Sequence, residues 1–269
     1  MPESDPKLLV STEWLASHLS APDVKILDAS LFLPGDPRDA KAAYAEAHVP
    51  GAQFFDIDDM SDRSNPLPHM LPPVEKFISR IRKMGIGDGH RVVVYDQDGL
   101  FSAARVWWMF NVFGHDDVAV LDGGLPKWLA EGRETEDMPP MPRERHFTGR
   151  KDASMVRDVT QVAGSLKVGE EQIIDARSPG RYRGEEEEPR AGLRAGHIPG
   201  AKNVHYGSLL NADKTMKSVD ETKAIFEAAG VDLGKPTITS CGSGITACIL
   251  TLALARLGHT KNAVYDGSW

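Results

Sequence analysis

Short runs of β-branched and aliphatic residues alternate along the chain with longer segments in which apolar side chains recur at helical spacing. The clearest strand-like runs are residues 92–95, 173–175 and 237–240. The clearest helical segments are residues 74–84, 103–113, 220–229 and 247–257. This alternation is typical of α/β domains, in which helices flank a mostly parallel sheet. The sequence therefore predicts an α/β fold with its ligand site at the carboxyl ends of the strands.

The same landmarks occur twice along the chain, in the same order and about 145 residues apart. The pairs are ILDA at 26–29 and IIDA at 173–176, HVPGA at 48–52 and HIPGA at 197–201, VVVY at 92–95 and TITS at 237–240, and VLDGG at 120–124 and VYDGS at 264–268. We infer a tandem duplication, with one copy at residues 1–135 and the other at 154–269. Between them, prolines cluster at 139–142 and exclude a helix or central strand, so residues 136–153 are predicted to form an extended linker.

The amino-acid composition limits which kinds of binding partner and which cellular compartment we expect. A formal net charge of −8 argues against nucleic acid or an anionic membrane, since both favour a basic surface. No apolar stretch approaches the roughly 20 residues that span a bilayer. Two cysteines are too few for a disulfide framework, and the polar, acidic start lacks the features of a secretory signal or transit peptide. We therefore expect a cytoplasmic protein with free thiols and no membrane segment.

Cys241 is the predicted nucleophile. It follows a strand-like run directly and precedes a helical segment, and Gly242 and Gly244 allow the turn between them to gather backbone N–H groups. The following helix adds its positive dipole end, and both effects favour a thiolate over a thiol. Cys248 lies within the helical segment and is predicted to pack in the core.

The first copy has a carboxylate where the second has this sulfur. Asp96 follows the strand at 92–95 and occupies the position that matches Cys241. A carboxylate cannot carry sulfur, so we expect the first copy to be non-catalytic. Its expected role is to cover the site of the second copy and to donate further site residues.

The duplicated domain with a cysteine loop only in its second copy resembles the two-domain rhodanese superfamily of sulfurtransferases. Residues 241–246 (CGSGIT) are similar to the loop C-G-S/T-G-V-T of the branch whose donor is 3-mercaptopyruvate, with Ile245 as the single departure. The thiosulfate branch typically has C-R-K-G-V-T, with two cations that are absent here. Further matches are FFDID at 54–58, SDR at 61–63, HMLP at 69–72, GRYRG at 180–184, EPR at 188–190 and YDGSW at 265–269. The resemblance implies a rhodanese-like fold for both copies.

The resemblance also implies roles for residues outside the loop. Ser243 would be catalytic together with His69 and Asp58, which would reach across from the first copy as a proton relay. Arg181 and Arg190 would hold the carboxylate and keto oxygen of the donor. A guanidinium fork suits these two groups better than the point charge of a lysine.

The resemblance further implies that the loop after the cysteine contacts the substrate through Gly242, Gly244, Ile245 and Thr246. From the residues alone, Thr246 could equally cap the following helix, and most histidines in proteins are structural. The acidic stretch at 184–189 is best explained as a solvated, charge-compensated loop. We expect Arg183 to face away from the site.

The implied reaction passes the sulfur of 3-mercaptopyruvate to a Cys241 persulfide and releases pyruvate. The outer sulfur then goes to a thiophilic acceptor, which would be cyanide, a small thiol or a thioredoxin-like protein. No dissociable cofactor is implied, and no histidine or cysteine cluster has the spacing of metal ligands.

Three alternatives stay open at this point. The donor could be thiosulfate, or the chain could be a non-catalytic module that binds or relays sulfur. A cysteine phosphatase is disfavoured, because the positions where that chemistry places an arginine are Ala247 and Cys248.

Overall fold

Each half of the chain folds around one five-stranded sheet in which all the neighbouring strands are parallel. The structure is a computed structural model that describes residues 7–190 and 192–269, so the first six residues of the predicted first copy lie outside the described residues. The first sheet contains β1 (Leu9–Val10), β2 (Val24–Asp28), β3 (Ala52–Phe54), β4 (Arg91–Tyr95) and β5 (Val118–Leu121). The second contains β6 (Val156–Arg157), β7 (Gln172–Asp175), β8 (Lys202–Asn203), β9 (Thr237–Ser240) and β10 (Asn262–Tyr265).

The strand orders confirm the predicted duplication of an α/β fold. The first sheet has the order β1-β5-β4-β2-β3, and the second has the order β6-β10-β9-β7-β8. Each strand of the first half therefore has a counterpart in the same place in the second half. The strands β4 and β9 are the central ones. β4 is a near-continuous apolar run, as expected for a strand that is buried on both faces, whereas β9 (TITS) is fully buried with only one apolar residue.

Helices connect the strands in both halves. In the first half they are α1 (Thr12–His18), α2 (Ala40–Glu46), α3 (Ile57–Met60), α4 (Val74–Lys83), α5 (Ala103–Val112) and α6 (Gly124–Ala130). In the second half they are α7 (Val159–Val168), α8 (Pro179–Arg183), α9 (Val219–Ala228) and α10 (Ala247–Arg256), with 3₁₀ turns at Ala153–Met155 and Tyr206–Leu209. The four helical segments predicted from apolar spacing are α4, α5, α9 and α10, to within a single residue at each end. Among the described residues, no helix has both the length and the apolar character that a membrane crossing needs.

The two halves meet through α5 and α10, which pack against each other. Both helices are buried almost all round, as expected for helices whose apolar residues are not confined to one face. One apolar cluster includes residues of both helices and of both sheets. Because α5 and α10 each follow the central strand of their sheet, the β4–α5 and β9–α10 loops lie at the boundary between the halves.

Residues 138–152 contain no helix or strand and run along the first half. Phe147 is fully buried and packs edge-on against Phe77 and Phe110. Backbone N–H groups of Arg145 and Arg150 donate to carbonyl groups of the first half at 3.2 and 2.9 Å. The segment that the prolines keep extended is thus fixed to the first half by a buried aromatic ring and by hydrogen bonds.

Candidate active site

Cys241 directly follows β9 and lines a cavity of about 360 Å³ between the two halves. The thiol residue is 2% exposed. The first half contributes a mostly apolar wall that also holds Asp58 and His69, and the second half contributes a wall with four charged residues. The apolar wall includes Leu31, Phe32, Leu33 and Phe101, and the charged wall includes Arg177, Arg181, Glu188 and Arg190. The structure therefore brings the predicted nucleophile and both predicted arginines to one cavity that the first half covers.

The β4–α5 loop of the first half corresponds to the Cys241 loop, and its backbone N–H groups bind a carboxylate. The Asp96 carboxyl group accepts three hydrogen bonds at Oδ2, from the consecutive N–H groups of residues 101–103, at 2.7–2.8 Å. In the second half, the N–H groups of residues 242–247 have no hydrogen-bond acceptor among the residues described. The same type of loop thus offers its donors to an anion on the side chain of Cys241.

His69 and Asp58 also line the cavity and lie next to each other. His69 Nε2 is 3.2 Å from Asp58 Oδ1. This hydrogen bond from His69 holds the pKa of Asp58 below its usual value. The Asp58 side chain is 64% exposed and that of His69 is 11% exposed, so the carboxylate is at the mouth and the ring lies inside. Within the described residues no hydrogen bond joins either group to Ser243, although Ser243 lines the same cavity.

The two predicted arginines are held differently. Arg181 points its fork at Glu188, with Nε donating to Oε1 at 3.2 Å and Nη2 donating to Oε2 at 2.5 Å. Arg190 donates from Nη1 to the carbonyl of Gly242 at 3.1 Å and has no carboxylate partner among the described residues. Burial lowers the pKa of Arg190. Arg190 is therefore the arginine whose fork is available to an anionic ligand.

The expectation that the glutamates at 185–188 form a solvated loop is right for Glu185 and wrong for Glu188. Glu185 is exposed and pairs with Arg183, which faces away from the cavity as expected. The side chain of Glu188 is only 3% exposed. It accepts from Arg181 and also from Arg177 Nη1 at 2.7 Å. Burial raises the pKa of Glu188, but the two guanidinium groups outweigh that effect and hold it below the usual value.

The remaining loop residues predicted to contact the substrate lie around the nucleophile. A Cβ atom at Gly242 would lie 2.8 Å from Arg181 Nη2, so glycine permits the close approach of that arginine. Gly244 has a φ of +75°, and Ile245 is buried and lines the cavity. Thr246 precedes α10 without a side-chain capping bond and also lines the cavity. The capping alternative for Thr246 therefore has no support in the structure.

Ser268 is a site residue that sequence reasoning missed. Its Oγ accepts from the Cys241 N–H at 3.2 Å and lies 3.9 Å from the sulfur. Ser268 has a φ of +54°, and its counterpart Gly124 in the first half has the same angle. A side chain in this left-handed conformation costs about 1–3 kcal/mol, which glycine avoids. The sequence signal that could have identified Ser268 is that serine stands at this position of the repeated motif, where the first half has Gly124.

Cys248 is fully buried, as predicted, and its Sγ donates to the carbonyl of Gly244 at 3.2 Å. Burial raises the pKa of this thiol. A protonated, inaccessible thiol is a poor nucleophile. Among the described residues, no group of three or more potential ligands could hold a metal ion.

The chain is similar to rhodanese-like proteins over most of its length. A model of the rhodanese-like domain matches residues 11–131 and again residues 158–269. Human 3-mercaptopyruvate sulfurtransferase is 41% identical over 98% of this chain and 91% of its own, and bovine thiosulfate sulfurtransferase is 43% identical over the same shares. The crystal structure of SseA from Escherichia coli, described as a 3-mercaptopyruvate sulfotransferase, superposes with a TM-score of 0.90 at 40% identity, over 97% of this chain and 98% of that one.

Proposed function

The chain belongs to the rhodanese-like family, and on that premise we propose that it transfers the sulfur of 3-mercaptopyruvate to a thiol acceptor through a persulfide on Cys241. Relatives named for 3-mercaptopyruvate and for thiosulfate are about equally similar to it, so overall identity does not separate the two donors. We propose that the charges of the cavity favour 3-mercaptopyruvate over thiosulfate. The observation that carries the proposal is a single guanidinium, that of Arg190, with no carboxylate hydrogen-bond partner among the described residues, beside a neutral cysteine loop.

Of the three guanidinium groups that line the cavity, two are paired with carboxylates. Arg177 is bound to Asp175 and Glu188, and Arg181 is bound to Glu188. Arg190 remains without a carboxylate partner among the described residues. One positive charge matches the single carboxylate of 3-mercaptopyruvate. Thiosulfate carries two negative charges and would need a second cation, which the loop residues Gly242 and Ser243 do not provide.

The reaction begins when the thiolate of Cys241 attacks the sulfur of the bound donor. The carbon–sulfur bond breaks, its electron pair stays on the enolate of pyruvate, and the new sulfur–sulfur bond makes the persulfide. The enolate must gain a proton, and we assign that supply to Ser243, His69 and Asp58. The N–H groups of residues 242–247, which have no acceptor among the described residues, would stabilise negative charge on the persulfide.

A thiophilic acceptor then removes the outer sulfur and restores the thiolate. We propose a small thiol or a thioredoxin-like protein in the cell, with cyanide as an assay substitute. Every step uses groups of the chain, the donor or the acceptor, so the proposal needs no cofactor. We place this chemistry in the cytoplasm, because both cysteines are free and a reducing compartment keeps them so. The net charge of −8 favours small-molecule or protein partners over nucleic acid.

Intact-mass and peptide mass spectrometry after treatment with 3-mercaptopyruvate tests the proposal. We expect one added sulfur, about 32 Da, on Cys241, and loss of both adduct and turnover in Cys241→Ser. We also expect kcat/KM for 3-mercaptopyruvate to exceed that for thiosulfate by at least about tenfold, or roughly 1.4 kcal/mol of barrier.

Cys248→Ala is the matched control, because it removes the other thiol without touching the cavity. An adduct on Cys248, or turnover by Cys241→Ser, would overturn the role of Cys241. Equal efficiency with the two donors, or a preference for thiosulfate, would overturn the choice of donor and leave the persulfide chemistry standing.

A further inference from the structure

Arg105 crosses from the first half into the loops that form the active site. It lies in α5, and its side chain is 1% exposed. Nη1 donates to the carbonyl of Gly244 at 3.2 Å, and Nη2 donates to Asp266 Oδ1 at 2.8 Å. Nη2 also donates to the backbone carbonyl of His69. One guanidinium therefore contacts the cysteine loop and the backbone of the proposed relay histidine.

Arg105 and Asp266 together hold the chain on both sides of the histidine ring. Asp266 Oδ2 accepts from the N–H of Leu71 at 2.8 Å, while Arg105 binds the carbonyl of His69. His69 has a φ of +58°, a left-handed conformation that a residue with a side chain adopts only when its surroundings impose it. Its counterpart Lys214 in the second half has a φ of +68°, so the turn itself is common to both halves. What the paired arginine and aspartate add is a set of hydrogen bonds that hold this turn against the cysteine loop.

The same guanidinium lies directly against the cysteine loop. A Cβ atom at Gly244 would be 2.9 Å from Arg105 Nη1, so the loop can approach this closely only as glycine. The guanidinium carbon of Arg105 also lies 4.6 Å from the ring centroid of Trp108. A planar fork with several donors fits three fixed acceptors at once, which a lysine ammonium cannot do. The position of His69 relative to the cysteine loop is thus set by one rigid group.

The duplication provides an internal comparison. At the inert side of the interface, Asp122 is the counterpart of Asp266, and its Oδ1 accepts from the N–H of Met216 at 2.7 Å. The helix positions of α10 that correspond to Arg105 are apolar, Ile249 and Leu250. An arginine at this helix position is therefore present only on the side that carries Cys241. On the inert side, Arg256 near the end of α10 is the arginine whose charge acts on Asp122. What is specific to the Cys241 side is the contact of one guanidinium with both the cysteine loop and the backbone of His69.

We propose that Arg105 and Asp266 are positioning residues that act through His69 in the protonation of the leaving pyruvate enolate. This inference rests on the proposed function. When the carbon–sulfur bond of the donor breaks, its electron pair stays on the enolate, which then needs a proton from the relay. Thiosulfate differs in this respect, since its leaving group, sulfite, departs as an anion without needing a proton. Only the 3-mercaptopyruvate reaction should depend on an accurately placed His69.

Arg105→Lys tests the proposal in single-turnover measurements of persulfide formation with each donor. The variant keeps the buried charge opposite Asp266 and loses the fork. We expect the maximal rate of persulfide formation from 3-mercaptopyruvate to fall by about ten- to hundredfold, with the half-saturating donor concentration changed by less than about threefold. We expect the rate with thiosulfate to change by less than about threefold. A similar slowing with both donors would mean that the arginine supports the cysteine loop or the fold in general.

A double-mutant cycle with His69→Ala separates positioning from general support. If Arg105 acts through His69, the lysine substitution should cost less than about threefold in a background that already lacks the ring. If the fold-losses in rate from Arg105→Lys and His69→Ala multiply fully in the double variant, the inference is overturned. Thermal unfolding of each variant checks the fold, and Asp266→Asn, which keeps the shape of the aspartate, is the second variant if Arg105→Lys does not fold. A wild-type protein that forms no persulfide from 3-mercaptopyruvate would refute the proposed function instead.

Discussion

Replacing Arg190 by lysine should greatly lower kcat/KM for 3-mercaptopyruvate and leave kcat/KM for thiosulfate nearly unchanged. In the structure the only hydrogen bond of Arg190 to the described chain is to the carbonyl of Gly242. Burial already lowers the pKa of its guanidinium, so part of its hydration has been removed before any ligand binds. A carboxylate that pairs with this group therefore gains a poorly hydrated, forked partner.

The magnitude follows from the hydrogen bonds that the substitution removes. Lysine keeps the charge but cannot make two parallel bonds to a carboxylate, and a hydrogen bond to a charged group contributes about 1.5–3 kcal/mol. We expect kcat/KM for 3-mercaptopyruvate to fall by about ten- to hundredfold. Thiosulfate has no carboxylate, so its kcat/KM should fall by less than about threefold.

Arg181→Lys should be milder with 3-mercaptopyruvate, because Nε and Nη2 of Arg181 are already bound to Glu188. Steady-state assays of both variants with both donors measure the contrast. Arg183→Lys is the matched control, since Arg183 is exposed, pairs with Glu185 and does not line the cavity. Equal losses with the two donors would show that Arg190 supports the loop through Gly242 and does not bind the donor. A larger loss for Arg181→Lys would show that Glu188 releases Arg181 when substrate binds.

Two further substitutions test the site and the interface. Gly242→Ala places a methyl group 2.8 Å from Arg181 Nη2, so we expect KM for 3-mercaptopyruvate to rise by about three- to tenfold. Mass spectrometry should still find the persulfide on this variant. An unchanged KM would contradict the close packing of Gly242 against Arg181. Burial raises the pKa of Asp122 from 3.8 to about 6, so the stability it contributes is present below pH 3.8 and is lost as the pH rises through about 6. After allowance for the partial exposure of its side chain, Asp122→Asn should raise the free energy of unfolding by about 1–2 kcal/mol at pH 8 and by much less at pH 4. Urea titrations at the two pH values measure this difference, and the same change at both would refute the reasoning.

The sequence was sufficient for the features that depend on local patterns. The order and type of the main strands and helices follow from apolar spacing, and the duplication follows from repeated motifs. Cys241 could be placed at the carboxyl end of β9 because an apolar run stops directly before it and glycines follow. The roles of Arg181, Arg190, His69 and Asp58 came from resemblance, and they stay predictions until variants are measured.

Only the tertiary structure decided how charges and backbone segments pair around the site. The acidic stretch at 184–189 gives no sign that Glu188 is buried between two arginines while Glu185 stays exposed. The Arg105–Asp266 pair joins residues 161 positions apart, and the bond from Cys241 to Ser268 depends on where β9 and β10 end side by side. The Arg105–Asp266 contact arises because α5 packs on α10, whereas the contacts of Glu188 and Ser268 lie within the second half. Local propensity carries no information about such packing, since the free energy that selects it comes from burial shared by both halves.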